Sequence, residues 1–210
     1  MNNTPLELIK INTHCCDVKT FRFALPQDVP FKPGQYLIAT LHVDGKDISK
    51  ALSISSSPTE KGYIEFTKKI SNSGFSQQLS KLEVGQKVAL RFPMGRFTFE
   101  GEHPKAVFLS GGIGITPIRS IFKNAADKML SSRLVLLYSS RTPEYLIFRQ
   151  DFEEMARQNP LIKLVYTLTQ CEEKITGCRV GYIDADMIKE EVPDFASCVF
   201  YICGPPAMVD

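Results

Sequence analysis

The sequence predicts two domains in one chain, an antiparallel β-barrel over residues 1–100 and a doubly wound α/β parallel sheet over residues 101–210, and three observations predict it. Residues 1–100 carry short alternating runs punctuated by turn residues, the pattern of a small antiparallel barrel. Beyond residue 100, apolar strand-length runs alternate with stretches of helical periodicity, the pattern of a parallel sheet with helices on its faces. Near the middle, the apolar run from Ala106 to Ser110 turns through Gly111, Gly112 and Gly114 into Ile118, Ile121, Phe122, Ala125 and Met129 at helical spacing, so a strand leads directly into a helix.

In order, the first half reads as strands over 6–11, 18–24, 35–43, 51–55, 63–69 and 87–92, with turn signals at Pro26, Pro33 and Gly34, Asp44 and Gly45, Pro58 and Gly85. One interruption, 71–79, leads small polar residues through Gly74, Phe75 and Ser76 into a short helix whose N-terminus offers N–H groups to an anion. After Pro93 and Gly95 the pattern changes, and 97–104 reads as a linker. The second half reads as strands over 106–110, 133–139, 162–168 and 198–203, with helices near 117–129, 147–158 and 184–191. In the second helix Phe148, Phe152, Met155 and Ala156 share one face. Ligands of such a sheet gather at the carboxyl ends of its strands.

The central glycines can adopt positive φ and let a ligand approach the backbone, while Thr116 and Pro117 suit the N-cap and N1 positions of the helix. The free N–H groups there attract an anion, a dinucleotide pyrophosphate being the usual one. The spacing is not the full G-x-G-x-x-G fingerprint, and a tight turn also needs glycine for steric reasons, so both readings stand on this stretch alone.

With 43% apolar residues the 210-residue chain can build ordinary cores, and a net charge of +2 with acids and bases intermixed provides no field for nucleic acid. The longest apolar runs, such as 134–138, are too short to span a bilayer, and the Met1-Asn2-Asn3-Thr4-Pro5 start has neither a charged nor an apolar leader region. The expectation is a soluble cytoplasmic protein. Cys15, Cys16, Cys171, Cys178, Cys198 and Cys203 form no Cys-x-x-Cys pair, and with three histidines the chain is expected to hold reduced thiols and no metal.

Four separated motifs, from Pro33-Gly34-Gln35-Tyr36 to Cys203-Gly204-Pro205-Pro206, resemble the plant-type ferredoxin–NAD(P) reductase family, which places a flavin-binding barrel before a nicotinamide-binding domain. The resemblance implies FAD, in preference to FMN, and NADPH or NADH as co-substrate. The family's flavin motif, Arg-x-Tyr-Ser, falls on Lys50, Ala51, Leu52 and Ser53, and its phosphate helix on Gly74, Phe75 and Ser76. Its nicotinamide cradle falls on Gly111 to Pro117, and its hydride-site motif on Cys203, Gly204 and Pro205. The roles implied are a cation and helix N–H groups for the pyrophosphate, a Ser53 hydroxyl bonded to flavin N5, and Cys203 as a group that positions the nicotinamide without forming a covalent bond. Apart from the resemblance, Lys50 also fits a solvated side chain, Leu52 an ordinary barrel residue and Cys203 a core residue.

Lys50 gives a point charge where the family has a planar arginine fork, and Leu52 replaces an aromatic ring, so looser flavin binding is expected. The chain ends at Asp210, where family members continue through another helix and strand, which implies an uncovered sheet edge that associates with another chain or a second copy. Ser140 and Arg141 follow the second strand of the sheet where the adenosine ribose lies, and no acid accompanies them, which leans to NADPH. The function implied is a flavoprotein reductase passing electrons to ferredoxin, flavodoxin, an oxygenase component or a small molecule. A free-flavin reductase and a non-catalytic subunit of a larger complex are the alternatives.

Overall fold

In the computed structural model the residues described are 4–26, 29–171 and 175–209, so the Met1 start and the Asp210 end lie outside them. The first half contains Thr4–Cys15 (β1), Val18–Ala24 (β2), Tyr36–Val43 (β3), Lys46–Ser53 (β4), Tyr63–Lys69 (β5) and Lys87–Met94 (β6). All pairs are antiparallel, in the order β4-β3-β6-β1-β2-β5. Alternation sends Leu37, Ala39, Leu41 and Val43 inward against Val88, Leu90, Phe21 and Phe66. The sheet curls until Ile54 bridges Phe66, and Ser55 N–H donates to the Glu65 carbonyl at 2.8 Å, so its two outer strands meet at that point.

Strand β4 begins earlier than the expected 51–55. Asp44 and Gly45, at φ 48° and 77°, form a two-residue hairpin turn, and the strand that returns from it is polar and exposed over Lys46, Asp47, Ser49 and Lys50, so hydropathy hides it. A helix at Gly74–Ser80 (α1) interrupts the strands, capped by Ser73.

The second half contains Lys105–Gly111 (β7), Ile115–Asp127 (α2), Arg133–Ser140 (β8), Arg149–Gln158 (α3), Ile162–Leu168 (β9), Cys178–Val180 (β10), Ala185–Glu191 (α4), Val199–Cys203 (β11) and Pro206–Val209 (α5). The five strands are parallel, in the order β10-β9-β8-β7-β11. Helices α2 and α3 cover one face, packing Ile118, Phe122 and Phe152 on Phe108 and Leu136, while Met187 of α4 packs on Val135, Leu137 and Val165 on the other. The strand order reverses between β7 and β11, the position of the ligand crevice in doubly wound sheets. Strand β10, with three residues, is too short to carry a periodic signal.

The stretch 97–104 is more than a linker. Phe99 is fully buried in the α2-side core, its ring edge-on to Phe108 at 5.9 Å, and Phe97 meets Tyr201 edge-on at 5.5 Å. Two aromatic side chains drive the segment inward, where it joins Val18 of β2 in the same core. Among the described residues strand β11 lies at an outer edge of its sheet, with Val199, Phe200 and Ile202 38%, 36% and 39% exposed. Among the described residues no helix is long and apolar enough to cross a membrane.

Candidate active site

Strand β7 delivers Gly111, a 3-10 turn follows at Gly112–Gly114, and α2 continues from it without a break. The helix therefore starts earlier than Thr116 and Pro117 suggest. Gly114 is the N-cap, and Thr116 and Pro117 sit at the second and third helical positions, where a missing N–H costs nothing. Thr116 Oγ1 donates back to the Ile113 carbonyl at 3.1 Å, so it does not cap.

The three glycines also divide their work differently from expectation. Gly112 alone has positive φ, 53°, and nothing lies within 4 Å of where its side chain would be, so this is the open part of the cradle. Gly111 and Gly114 have ordinary backbones, φ −123° and −60°, and make room for the chain itself. A Cβ on Gly114 would fall inside the Cys203 carbonyl, 2.6 Å from its carbon and 2.9 Å from Gly204 Cα; one on Gly111 would meet Pro205 Cδ at 2.8 Å and Met208 Sδ at 3.0 Å. The structure thus brings Gly111, Gly114, Cys203, Gly204 and Pro205 into one packed unit at the crevice.

Cys203 pairs with Ser110 across β11 and β7, half-buried on the α2 side of the sheet, and burial pushes its thiol pKa up. A thiol held neutral at pH 7 suits steric and dipolar positioning and not nucleophilic attack. Beside it the Ser110 hydroxyl is buried with no hydrogen-bond partner. Ser140 is buried at the end of β8, paired with Leu168, and Arg141 next to it is exposed.

On the barrel, Lys50 and Ala51 are exposed on β4, Leu52 packs partly on the core, and Ser53 is half-exposed opposite Tyr36. Lys68 on β5 has its pKa lowered by burial and further by the charge of Lys50. Like charges near each other are unfavourable, so the positive charge of Lys50 adds to the cost of charging Lys68. Sequence reasoning passed over Lys68, whose signal was only a basic residue within a strand. Gly74 is exposed at the start of α1, close under Val43, whereas Phe75 and Ser76 are buried. Ser76 N–H donates to Ser73 Oγ at 3.3 Å, and the Ser71 and Ser76 hydroxyls lie 3.1 Å apart, so Ser76 braces the turn.

Between these two parts lies a buried charge cluster that the sequence did not reveal. Arg119 on α2 and Glu60 on the loop after β4 have side chains 9% and 13% exposed. Arg119 Nη1 and Nη2 donate to Glu60 Oε2 and Oε1 at 2.5 and 3.1 Å, Nη1 to the Ser55 carbonyl at 3.0 Å, and Nε to Asp151 Oδ2 at 3.0 Å. Glu60 also accepts from Ser57 N–H at 2.7 Å and Tyr63 O–H at 2.8 Å. Burial opposes ionisation of Glu60, but the Arg119 hydrogen bonds and charge outweigh it and hold its pKa below the usual carboxylate value. Burial raises Glu65 in spite of its ion pair with Arg22.

Glu60 thus contributes stability that is present above the unfolded carboxylate pKa, about 4.3, and is lost as pH falls through its depressed folded value. Glu65 has the opposite sign, since protonation favours its folded form. Glu60→Gln should therefore flatten the loss of thermal stability at the acid end, below about pH 4, relative to wild type. Unfolding temperatures from pH 7 to pH 3 check this, and parallel acid slopes for the two proteins would refute it.

The Oxidoreductase FAD-binding domain family matches residues 5–99, and the Oxidoreductase NAD-binding domain family matches residues 108–210. NADH-cytochrome b5 reductase 1 of Mortierella alpina is 31% identical over 207 residues, covering 93% of this chain and 68% of the relative. The chain belongs to the ferredoxin–NAD(P) reductase family. Within that family, the reductase subunit of Pseudomonas aeruginosa glycine betaine monooxygenase is also 31% identical, over 94% of this chain and 56% of its own, so the chain spans little more than half of that relative. The cytochrome b5 reductase domain of Ulva prolifera nitrate reductase superposes with TM-score 0.86 at 24% identity, over 99% of this chain and 88% of that one. A Neisseria gonorrhoeae ferredoxin NADP+ reductase solved with FAD and NADP superposes with TM-score 0.84 at 21% identity, over 100% and 88%. These two structures share the family fold.

Proposed function

We propose that this chain is an NAD(P)H-dependent flavoprotein reductase, soluble and cytoplasmic, with the flavin part over residues 1–100 and the nucleotide part over 101–210. The observation that supports the reading is the packing of Cys203 and Gly204 onto Gly111 and Gly114 at the sheet's reversal point, where a hydride-site motif and a phosphate cradle would adjoin. FAD, when bound, supplies an acceptor that takes hydride and releases electrons singly or in pairs.

The residues fit both groups. Lys50 with Lys68, and the exposed backbone at Gly74, form a cationic seat for the flavin pyrophosphate, with Phe75 and Ser76 bracing it from inside. Ala51 and Leu52 line the ring position, and the Ser53 hydroxyl is the hydrogen-bond donor for N5. Gly112 presents its backbone to the nucleotide pyrophosphate, while Gly111, Gly114, Thr116 and Pro117 shape the turn that carries it. Ser140 and Arg141 mark the adenosine end. Cys203, Gly204 and Pro205 set where the nicotinamide rests, and the neutral thiol of Cys203 orients it.

Acceptors of the kinds named for the relatives, an oxygenase component or cytochrome b5, fit this chemistry, as do ferredoxin, flavodoxin or a small molecule. A second reading, in which flavin is a substrate that comes and goes, is favoured by the exposed Lys50 and the aliphatic Leu52.

FAD titration of the purified chain, then anaerobic addition of NADH or NADPH while the flavin absorbance is followed, tests the proposal. Binding and bleaching are expected, and an absence of FAD binding would overturn it. Retention of flavin through gel filtration separates the two readings. Cys203→Ala should slow flavin reduction about tenfold or more while the nucleotide Kd stays within about twofold, because its contribution is made mainly in the transition state. Equal losses in rate and affinity would make Cys203 a packing residue.

A further inference from the structure

We propose that Arg119 is a positioning residue for hydride transfer, holding the flavin-side Ser53 and the nicotinamide-side Cys203 at a fixed separation by clamping α2 to the barrel. The inference rests on the reductase reading, and it concerns a residue outside every motif discussed above.

The physical path is short and each step in it is a hydrogen bond, a backbone bond or a packed contact. On the barrel side, Ser53 ends β4, Ile54 makes the bridge to Phe66 that closes the sheet, and the carbonyl of Ser55 accepts from Arg119 Nη1 at 3.0 Å. The next carbonyl, of Ser56, accepts from Ser120 Oγ at 2.6 Å, so two consecutive residues of α2 grip two consecutive residues that follow the bridge. On the sheet side, Arg119 and Ser120 lie in the same helix as Thr116, and that helix is capped by Gly114, which lies so close to the Cys203 carbonyl that a side chain there would have no room. Any tilt of α2 on the barrel would move Cys203 relative to Ser53.

Arginine is suited to this task. The guanidinium plane meets the Glu60 carboxylate through two nitrogens, takes the Ser55 carbonyl with Nη1, and still reaches Asp151 of α3 through Nε, so one side chain fixes three segments at once. Glu60 is itself pinned by Ser57 N–H and Tyr63 O–H, so the partner of the clamp cannot swing. A surface ion pair would hold these parts loosely. This one is almost entirely enclosed, and the carbonyl it holds lies two residues from Ser53.

The test uses the FAD-loaded chain in three forms: wild type, Arg119→Lys, and the paired replacement Arg119→Met with Glu60→Met. The pair removes both buried charges of the clamp together and leaves Asp151, 41% exposed, to be solvated, so the variant is expected to fold, which circular dichroism checks. Anaerobic rapid mixing gives the limiting rate of flavin reduction and the nucleotide Kd separately. The long-wavelength charge-transfer absorbance between flavin and bound nicotinamide reports ring contact independently of turnover. The expected result is a limiting rate reduced about tenfold to a hundredfold in the paired variant, the range for misplacement on the order of 1 Å, with that absorbance diminished and the Kd values for FAD and nucleotide within about threefold of wild type. Arg119→Lys should recover part of the rate, because it restores the charge without the fork.

A folded paired variant with the wild-type rate and absorbance would overturn the clamp while leaving the reductase reading intact. So would a rate that falls only as far as the folded fraction does. A wild-type chain that binds FAD and is never reduced by either nucleotide would overturn both.

Discussion

Gly114→Ala should leave FAD binding unchanged and reduce nucleotide-driven flavin reduction by about a hundredfold, the effect of displacing a reacting group by on the order of 1 Å. The backbone at Gly114 is already helical, φ −60° and ψ −10°, so alanine is conformationally at ease there and the whole effect is steric. Its methyl group would overlap the Cys203 carbonyl, which is held in a strand and cannot rotate away. Either β11 retreats, carrying Cys203 from the crevice, or α2 does, withdrawing the cradle. Gly111→Ala is the internal control. There the obstacles are Pro205 Cδ and Met208 Sδ, parts of a segment with exposed residues around it that can shift, and a loss of about tenfold or less is expected. Anaerobic reduction rates of the two variants, with FAD titrations beside them, decide the matter, and equal rates for both would sink the idea that Gly114 joins cradle to hydride motif.

Gly34→Ala should be the most destabilising single methyl addition in the joint between the two halves. Gly34 has φ 94°, where an L-residue is strained, and its Cβ would strike the Phe97 carbonyl and come within 2.9 Å of Ile121 Cδ1 on α2. Backbone strain of about 1–2 kcal/mol and overpacking of about 1–3 kcal/mol give a loss of about 3 kcal/mol. For a chain of this size that corresponds to a fall of about 6–12 °C in Tm. Thermal unfolding measures it, and a Tm within about 2 °C of wild type would show that the two halves are loosely joined at this point.

Much of the fold was legible because burial wrote it into the residue pattern. Val18–Ala24, Tyr63–Lys69 and Ile162–Leu168 have the bounds the sequence implied, each an apolar or alternating run stopped by turn residues. Strand β4 was obscured at its start by its own exposure, and the segment 97–104 looked like a connection because two aromatic residues in a short loop say nothing about which core will receive them.

The candidate site divides along the same line. Its glycines and the Cys203 motif stand out locally, since they mark sharp changes of backbone direction. What each glycine makes room for depends on a strand at the other end of the domain, and no spacing rule connects Gly114 with Cys203. Arg119, Glu60 and Lys68 were invisible for a different reason. A charged residue reads as solvated unless its neighbours are known, and here those neighbours belong in each case to another part of the chain.

The order β10-β9-β8-β7-β11 also has a meaning in time. Strand β7 comes first in this sheet along the chain and lies inside it, flanked by β8 and by β11, which follows β8, β9 and β10 along the chain. The barrel, in contrast, has every one of its six strands in hand before β7 begins. On a ribosome, the barrel can finish its pairings while β7 still shows a bare edge on the side where β11 will lie. That edge is closed only by a long-range pairing, which carries a large loop-closure cost and forms slowly. Cys203 enters the molecule in the same event that satisfies the edge. The strand that carries Ser53 can thus be in place before the strand that carries Cys203.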